Sequence, residues 1–169
     1  MNLEFKRKLP TLQEIKAMYP IDEQLAARKK ATDDALKAIF EGKDSRLVLV
    51  IGPCSADRED AVLDYISRLR DVQEKVKDKI FIVPRIYTNK PRTTGDGYKG
   101  MLHQPDPHAS ENMLKGLIAI RKLHIKALRE TGFSCADEML FLRGRDALSR
   151  KSPLFVRRAV LRRGGRKVG

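Results

Sequence analysis

The chain has 169 residues, room for one ordinary domain with a real core, and 41% hydrophobic with 34% charged residues is a soluble globular composition. No apolar run is long enough to span a bilayer. The opening Met1-Asn2-Leu3-Glu4-Phe5-Lys6 lacks the apolar segment of a secretory signal, so a cytoplasmic protein is expected. The net charge of +13 would point to nucleic acid, but ten Arg and Lys residues against Asp146 alone lie after Leu140, which leaves the preceding body only mildly basic.

The chain opens with a loose arm, residues 1–8. Thr11 and Glu14 have capping-box spacing, which predicts a short helix running to Met18 and ending near Pro20. Asp22 is placed to cap a second helix containing Leu25, Ala35, Leu36, Ile39 and Phe40, with Gly42 as its C′ residue. Leu47-Val48-Leu49-Val50-Ile51 follows as five aliphatic residues in a row. That run predicts a strand buried on both faces, stopped by Gly52-Pro53. Cys54 and Ser55 then stand just past the strand's carboxyl end, where parallel α/β folds place their chemistry.

Residues 57–60 give an acidic helix start, and Val62, Leu63, Ile66, Leu69, Val72 and Val76 continue at helical spacing. A second buried strand is expected over 80–83, continuing through Pro84-Arg85-Ile86-Tyr87. Pairing should falter at Pro84, which has no amide donor. Residues 88–110 form a long polar loop in which Gly95, Gly97 and Gly100 let the chain turn. Ser110 is placed to cap a helix carrying Leu114, Leu117, Ile118, Ile120, Leu123 and Leu128, ended by Gly132. Residues 133–140 read as a third strand. Strand–helix–strand–helix–strand order implies a parallel sheet with right-handed crossovers. The tail after Leu140 shows no clean period of 2 or 3.6, and no internal repeat is visible.

Several residues carry candidate chemistry. Cys54 can be a metal ligand, a nucleophile or a small buried thiol. Cys54 and Cys135 follow no zinc spacing, reduced thiols are the cytosolic default, and Cys135 reads as core. Arg85, Lys90 and Arg92 with Thr93 and Thr94 place three cations and two hydroxyls close together, able to grip phosphate or carboxylate oxygens. A solvated basic loop is the plainer reading of that run, and its place after a buried parallel strand favours the functional one. Glu138 is either an acid–base or metal group at a strand end, or a cap or surface ion pair. Lys99 reads as a solvated cation. His103 and His108 are weak loop candidates, and His124 is a surface or packed helix residue.

Cys54, Arg85 and Glu138 share one property: each falls at the carboxyl end of one of three successive parallel strands. A (β/α)₈ barrel gathers such ends on one face, and three units are under half of a barrel of typically about 250 residues. The predicted class is therefore α/β, the N-terminal portion of a (β/α)₈ TIM barrel with about three βα units, preceded by a helical arm. The expected division is 1–44 for the arm and helices, 45–140 for the partial barrel, and 141–169 for a basic tail that is non-native or disordered.

Ile51-Gly52-Pro53-Cys54-Ser55, Arg85-Ile86-Tyr87, Lys90-Pro91-Arg92-Thr93-Thr94, Tyr98-Lys99-Gly100 and Ala136-Asp137-Glu138-Met139-Leu140 occur in this order. Together they closely resemble the type I 3-deoxy-D-arabino-heptulosonate 7-phosphate (DAHP) synthases, from about Leu9 to Leu140. The resemblance implies condensation of phosphoenolpyruvate with erythrose 4-phosphate to DAHP plus phosphate, opening the shikimate route to aromatic amino acids. It implies a divalent metal (Mn, Fe or similar), homo-oligomers of the full-length enzyme and feedback by an aromatic amino acid. By the same resemblance Cys54 is the metal-ligating cysteine, and Arg85 and Lys90 contact phosphoenolpyruvate, with Lys90 near the reacting centre. Arg92 and Thr93 match the pair that binds the erythrose 4-phosphate phosphate, and Glu138 matches an active-site glutamate.

The match stops at Leu140, and the family's other metal ligands come from later strands. The chain therefore reads as a truncated copy with its tail in a shifted frame, inactive or nearly so by itself. Exposed sheet edges and poor solubility are expected of it. Two further readings are a nucleic-acid-binding or interaction protein using the basic tail, and a related synthase joining phosphoenolpyruvate to another sugar phosphate. The tail lacks aromatic interleaving, which argues against nucleic acid.

Overall fold

The computed structural model of the chain describes residues 9–90 and 97–137. In chain order these form helix α1 (Leu12–Met18), helix α2 (Glu23–Phe40), strand β1 (Leu47–Ile51), helix α3 (Glu59–Val76), strand β2 (Ile80–Ile86), helix α4 (Met113–Thr131) and strand β3 (Ala136–Asp137). The strands lie in the order β1-β2-β3, and both pairs are parallel. Each crossover is a helix, as a parallel connection requires.

The helix boundaries follow local chemistry. At α1 the Thr11 side chain accepts from the Glu14 amide while the Glu14 carboxylate accepts from the Thr11 amide at 2.6 Å. This reciprocal pair satisfies two donors that a helix start leaves open. Asp22 caps α2 by accepting from the Leu25 amide at 2.8 Å. Gly42, at φ +72°, follows the C-cap Glu41 of α2 in the left-handed conformation. α3 starts at Glu59 with two acidic residues in its first turn, while Arg58 at the N-cap gives no side-chain cap.

The cap of α4 differs from expectation: it is Asn112, not Ser110. The Asn112 oxygen accepts from the Lys115 amide at 3.0 Å, and its own N–H donates to the His103 carbonyl at 2.7 Å. The preceding loop is thereby tied back where the helix begins, and Ser110 lies two residues too early. Gly132 ends the helix as anticipated, at φ +79°.

The core lies between α3, α4 and the sheet. Ala56, Val62, Leu63, Ile66, Ile86, Met101, Leu123, Ala127 and Cys135 form one buried cluster. A smaller cluster of Leu36, Val83 and Ala136 attaches α2 to the other side. A Lys126–Glu59 ion pair at 2.7 Å links α4 to α3 on the outside.

β1 exists as predicted, but it is not buried on both faces. Leu47 is 72% exposed, and Leu49, Val50 and Ile51 are 38–40% exposed. Among the described residues its one strand partner is β2, so its other edge has nothing to cover it. β2 runs straight through Pro84, but the proline marks a change of partner. Pairing with β1 ends at Ile51↔Pro84, and pairing with β3 starts at Arg85↔Ala136. Where β3 does not reach, the Gln73 amide stands in: it donates to the Ile80 carbonyl at 2.9 Å and accepts from the Ile82 amide at 2.6 Å. The third strand, expected over 133–140, is paired at Ala136–Asp137, and its last three residues lie outside the described residues.

Candidate functional site

The site grows from the turn after β1. At Gly52 a Cβ would fall 1.8 Å from the Arg85 carbonyl oxygen of β2, so only glycine lets the two backbones approach there. That approach brings the turn's carbonyls under the Arg85 side chain. Arg85 Nη2 donates to the Pro53 carbonyl at 2.8 Å and to the Gly52 carbonyl at 3.4 Å. Its guanidinium also lies over the Tyr87 ring, 5.1 Å from the centroid. The next residue along the turn, Cys54, is exposed. Lys90 Nζ donates to Cys54 Sγ at 2.9 Å and to the Cys54 carbonyl at 3.4 Å. Two cations from the end of β2 and the segment after it thus converge on residues 52–54.

The segment that carries Lys90 is held along its length. The Ala56 amide donates to the Tyr87 carbonyl at 2.9 Å, the Lys90 amide to the Lys99 carbonyl at 3.1 Å, and the Leu102 amide to the Thr88 carbonyl at 3.0 Å. Gly100, at φ +92°, sits where a Cβ would lie 2.4 Å from the Thr88 carbonyl. Tyr98 donates its hydroxyl to the Ala56 carbonyl at 3.2 Å. Burial, helped by the Asp57 charge, pushes the Tyr98 phenol up to about 12. Lys99 is on the surface, as read, and pairs there with Glu111 at 2.7 Å, which holds that carboxyl below its ordinary value.

Of the residues singled out from the sequence, the structure brings Cys54, Arg85 and Lys90 together at the carboxyl ends of β1 and β2. Arg92, Thr93 and Glu138 lie outside the described residues. Cys135 is core, as read, and burial followed by the Asp137 charge pushes its thiol up to about 12. The buried-thiol reading of Cys54 does not hold.

The implied metal can be tested against the donors present. An exposed sulfur at a strand end suits one coordination position. Among the described residues, however, no group of three or more His, Cys, Asp or Glu side chains could hold an ion. Catalytic sites commonly use three protein ligands. The described residues alone therefore do not make a metal site.

Sequence reasoning passed over one constellation. His124, Asp137 and Thr88 are 5%, 3% and 3% exposed, from α4, β3 and the segment after β2. Asp137 accepts from the Thr88 amide at 3.1 Å and from the Thr88 hydroxyl, and His124 Nε2 lies 3.7 Å from its Oδ2. The available signal was a second carboxylate in the third-strand region, directly before Glu138.

Residues 18–146 match the model of the DAHP synthetase I family. The chain belongs to that family. A phospho-2-dehydro-3-deoxyheptonate aldolase of Haemophilus influenzae is 40% identical over 122 residues, covering 72% of this chain and 33% of that protein. The phenylalanine-inhibited aldolase of Saccharomyces cerevisiae is 42% identical over 107 residues, 63% of this chain and 28% of its own. Other relatives, in Escherichia coli and Buchnera aphidicola, are named Tyr-sensitive and Trp-sensitive. The structure of the aldolase from Francisella tularensis SCHU S4 superposes with a TM-score of 0.74 at 29% identity, covering 82% of this chain and 40% of that one. The chain thus spans about a third of the length of the curated DAHP synthetase relatives it matches. Its three parallel strands and their helices are a partial α/β barrel of this family.

Proposed function

We propose that these residues form the first part of an active site that condenses phosphoenolpyruvate with erythrose 4-phosphate, giving DAHP and phosphate. The observation that carries this is the convergence of Arg85 and Lys90 on the turn at 52–54. Phosphoenolpyruvate has a carboxylate and a phosphate, and the two cations differ in what they offer. Arg85 presents a planar fork suited to paired oxygens, and Lys90 a compact charge on a flexible stem. Both sit on backbone tied down before any ligand arrives, which lowers the cost of ordering the site.

Arg92 and Thr93 bind the erythrose 4-phosphate phosphate in this reading, and Glu138 handles a proton near the reacting carbons. Cys54 supplies one ligand to a divalent metal whose remaining ligands come from outside the described residues. The full-length enzyme assembles as a homo-oligomer. An aromatic amino acid regulates it, which the names of the phenylalanine-inhibited, Tyr-sensitive and Trp-sensitive relatives support. The cytoplasm is the proposed location. Among the described residues no helix is long and apolar enough to cross a membrane, and neither Cys54 nor Cys135 is in a disulfide.

Calorimetric titration of phosphoenolpyruvate into the chain tests the reading. Binding is expected, and Arg85→Ala and Lys90→Ala should each weaken it by about tenfold, the size of a lost charge-assisted contact. No heat from the wild-type chain, or equal affinity in both variants, would contradict it.

A further inference from the structure

We infer that Asp137 is a positioning residue that sets Lys90 against Cys54 through Thr88, and the inference rests on the proposed reading of this site. Lys90 follows β2 by four residues, and its own amide donates to the Lys99 carbonyl at 3.1 Å. A second anchor of this segment lies two residues earlier, at Thr88, just past the end of β2. There the Asp137 carboxylate accepts both donors of one residue, the Thr88 amide at 3.1 Å and the Thr88 hydroxyl. The Thr88 carbonyl is taken from the other side by the Leu102 amide at 3.0 Å. Thr88 is therefore gripped at amide, hydroxyl and carbonyl, two residues before Lys90.

The placement is costly, which argues that it does something. A carboxylate with 3% exposure has lost its water, and such a group persists only where hydrogen bonds or a countercharge replace it. The Thr88 donors replace part of it. The His124 ring, 5% exposed, stands 3.7 Å from the carboxylate, too far for a hydrogen bond, so the Thr88 donors carry the hydrogen bonding. A Val or Ile at residue 137 would avoid this cost. The carboxylate does what an aliphatic side chain cannot: it clamps a backbone amide across the β2–β3 junction.

The test uses the whole chain and a short cross-linker with one thiol-reactive and one amine-reactive end, mapped by mass spectrometry. Wild-type protein should link Cys54 to Lys90. Asp137→Ala should lower that yield by about tenfold, and Asp137→Asn, which keeps an oxygen for the Thr88 amide, should restore most of it. Cys135, 1% exposed, serves as an internal control: it should stay unmodified in all three proteins if the core is intact. If Asp137→Ala leaves Cys135 open to reagent, Thr88→Val decides. That variant removes only the hydroxyl bond at nearly constant volume, and the Cys54–Lys90 link should drop while Cys135 stays protected.

Undiminished linking in Asp137→Ala with Cys135 protected, or in Thr88→Val, would overturn the inference. So would an Asp137→Asn variant as poor as Asp137→Ala. Phosphoenolpyruvate titrations run in parallel separate this from the functional reading. A wild-type chain that links Cys54 to Lys90 but binds no phosphoenolpyruvate would defeat the proposed function and leave the positioning role standing. A chain that binds phosphoenolpyruvate equally well with and without Asp137, with equal linking, would do the reverse.

Discussion

β1 and β2 are neighbouring strands of similar aliphatic composition, paired residue by residue from Leu47↔Ile80 to Ile51↔Pro84. In β2, Val83 and Ile86 have 1% or less of their surface exposed, while in β1 Leu47 keeps 72%. β2 has a strand on each edge, α3 packed against it, and a glutamine amide where the third strand does not reach. β1 has one strand neighbour among the described residues. Burial is therefore set by what surrounds a strand, and aliphatic residues serve as core in β2 and as open apolar surface in β1. An exposed edge of this kind invites pairing with another chain.

Single substitutions sharpen this contrast. Ile86→Ala should cost about 2–5 kcal/mol in urea unfolding, the range for deleting a fully buried aliphatic side chain. Leu47→Ala should stay within about 0.5 kcal/mol, as surface changes do. Equal costs would mean that β1 is covered after all. Gly52→Ala tests the junction of the two strands. The added methyl has only the Arg85 backbone to displace, so a loss of about 1–3 kcal/mol is expected, with weaker phosphoenolpyruvate binding. Unchanged stability would show that the strands do not approach there.

The effect of pH separates the covered side of the sheet from its open one more gently. The Cys135 thiol is raised from 9.0 to about 12 in the folded chain. Its stabilising contribution is full below 9.0 and is lost as pH rises toward 12, because the unfolded chain loses that proton first. Unfolding midpoints should therefore fall across this alkaline window, and fall less in Cys135→Ala. An identical pH slope in the variant would contradict the assignment. The smallest effect belongs to α1. Thr11 holds the Glu14 carboxyl below its reference value of 4.5, so the capping contribution is present above that pH and is lost as pH falls. Amide exchange at Glu14 should quicken in acid while exchange in β2 does not.

Much of the fold is legible in the sequence because its signals are local. A Thr–x–x–Glu box, an Asp before an amphipathic run and a Gly after one act over a single turn, and Thr11, Asp22, Gly42 and Gly132 all sit where that chemistry puts them. The acidic start of α3 and its Val62, Leu63 and Ile66 stripe are equally local. What failed depended on distant partners. Asn112 wins the cap of α4 because His103, far back in the loop, takes its amide. The burial of β1 depends on which strands flank it, and among the described residues β2 alone does. Cys54, Arg85 and Lys90 were found because strand ends are readable, but their contacts depend on the Gly52 approach. The Thr88–Asp137–His124 contact joins residues up to 49 positions apart, which no local pattern reveals.

Cys54, Arg85 and Lys90 meet at one rim of the parallel sheet, the proposed seat of phosphoenolpyruvate. Two-dimensional NMR of the labelled chain, titrated with phosphoenolpyruvate, tests it most directly. Shift changes should concentrate in residues 52–56 and 85–90, with α1 and α2 silent. Changes confined to the helices, or scattered without saturation, would contradict it.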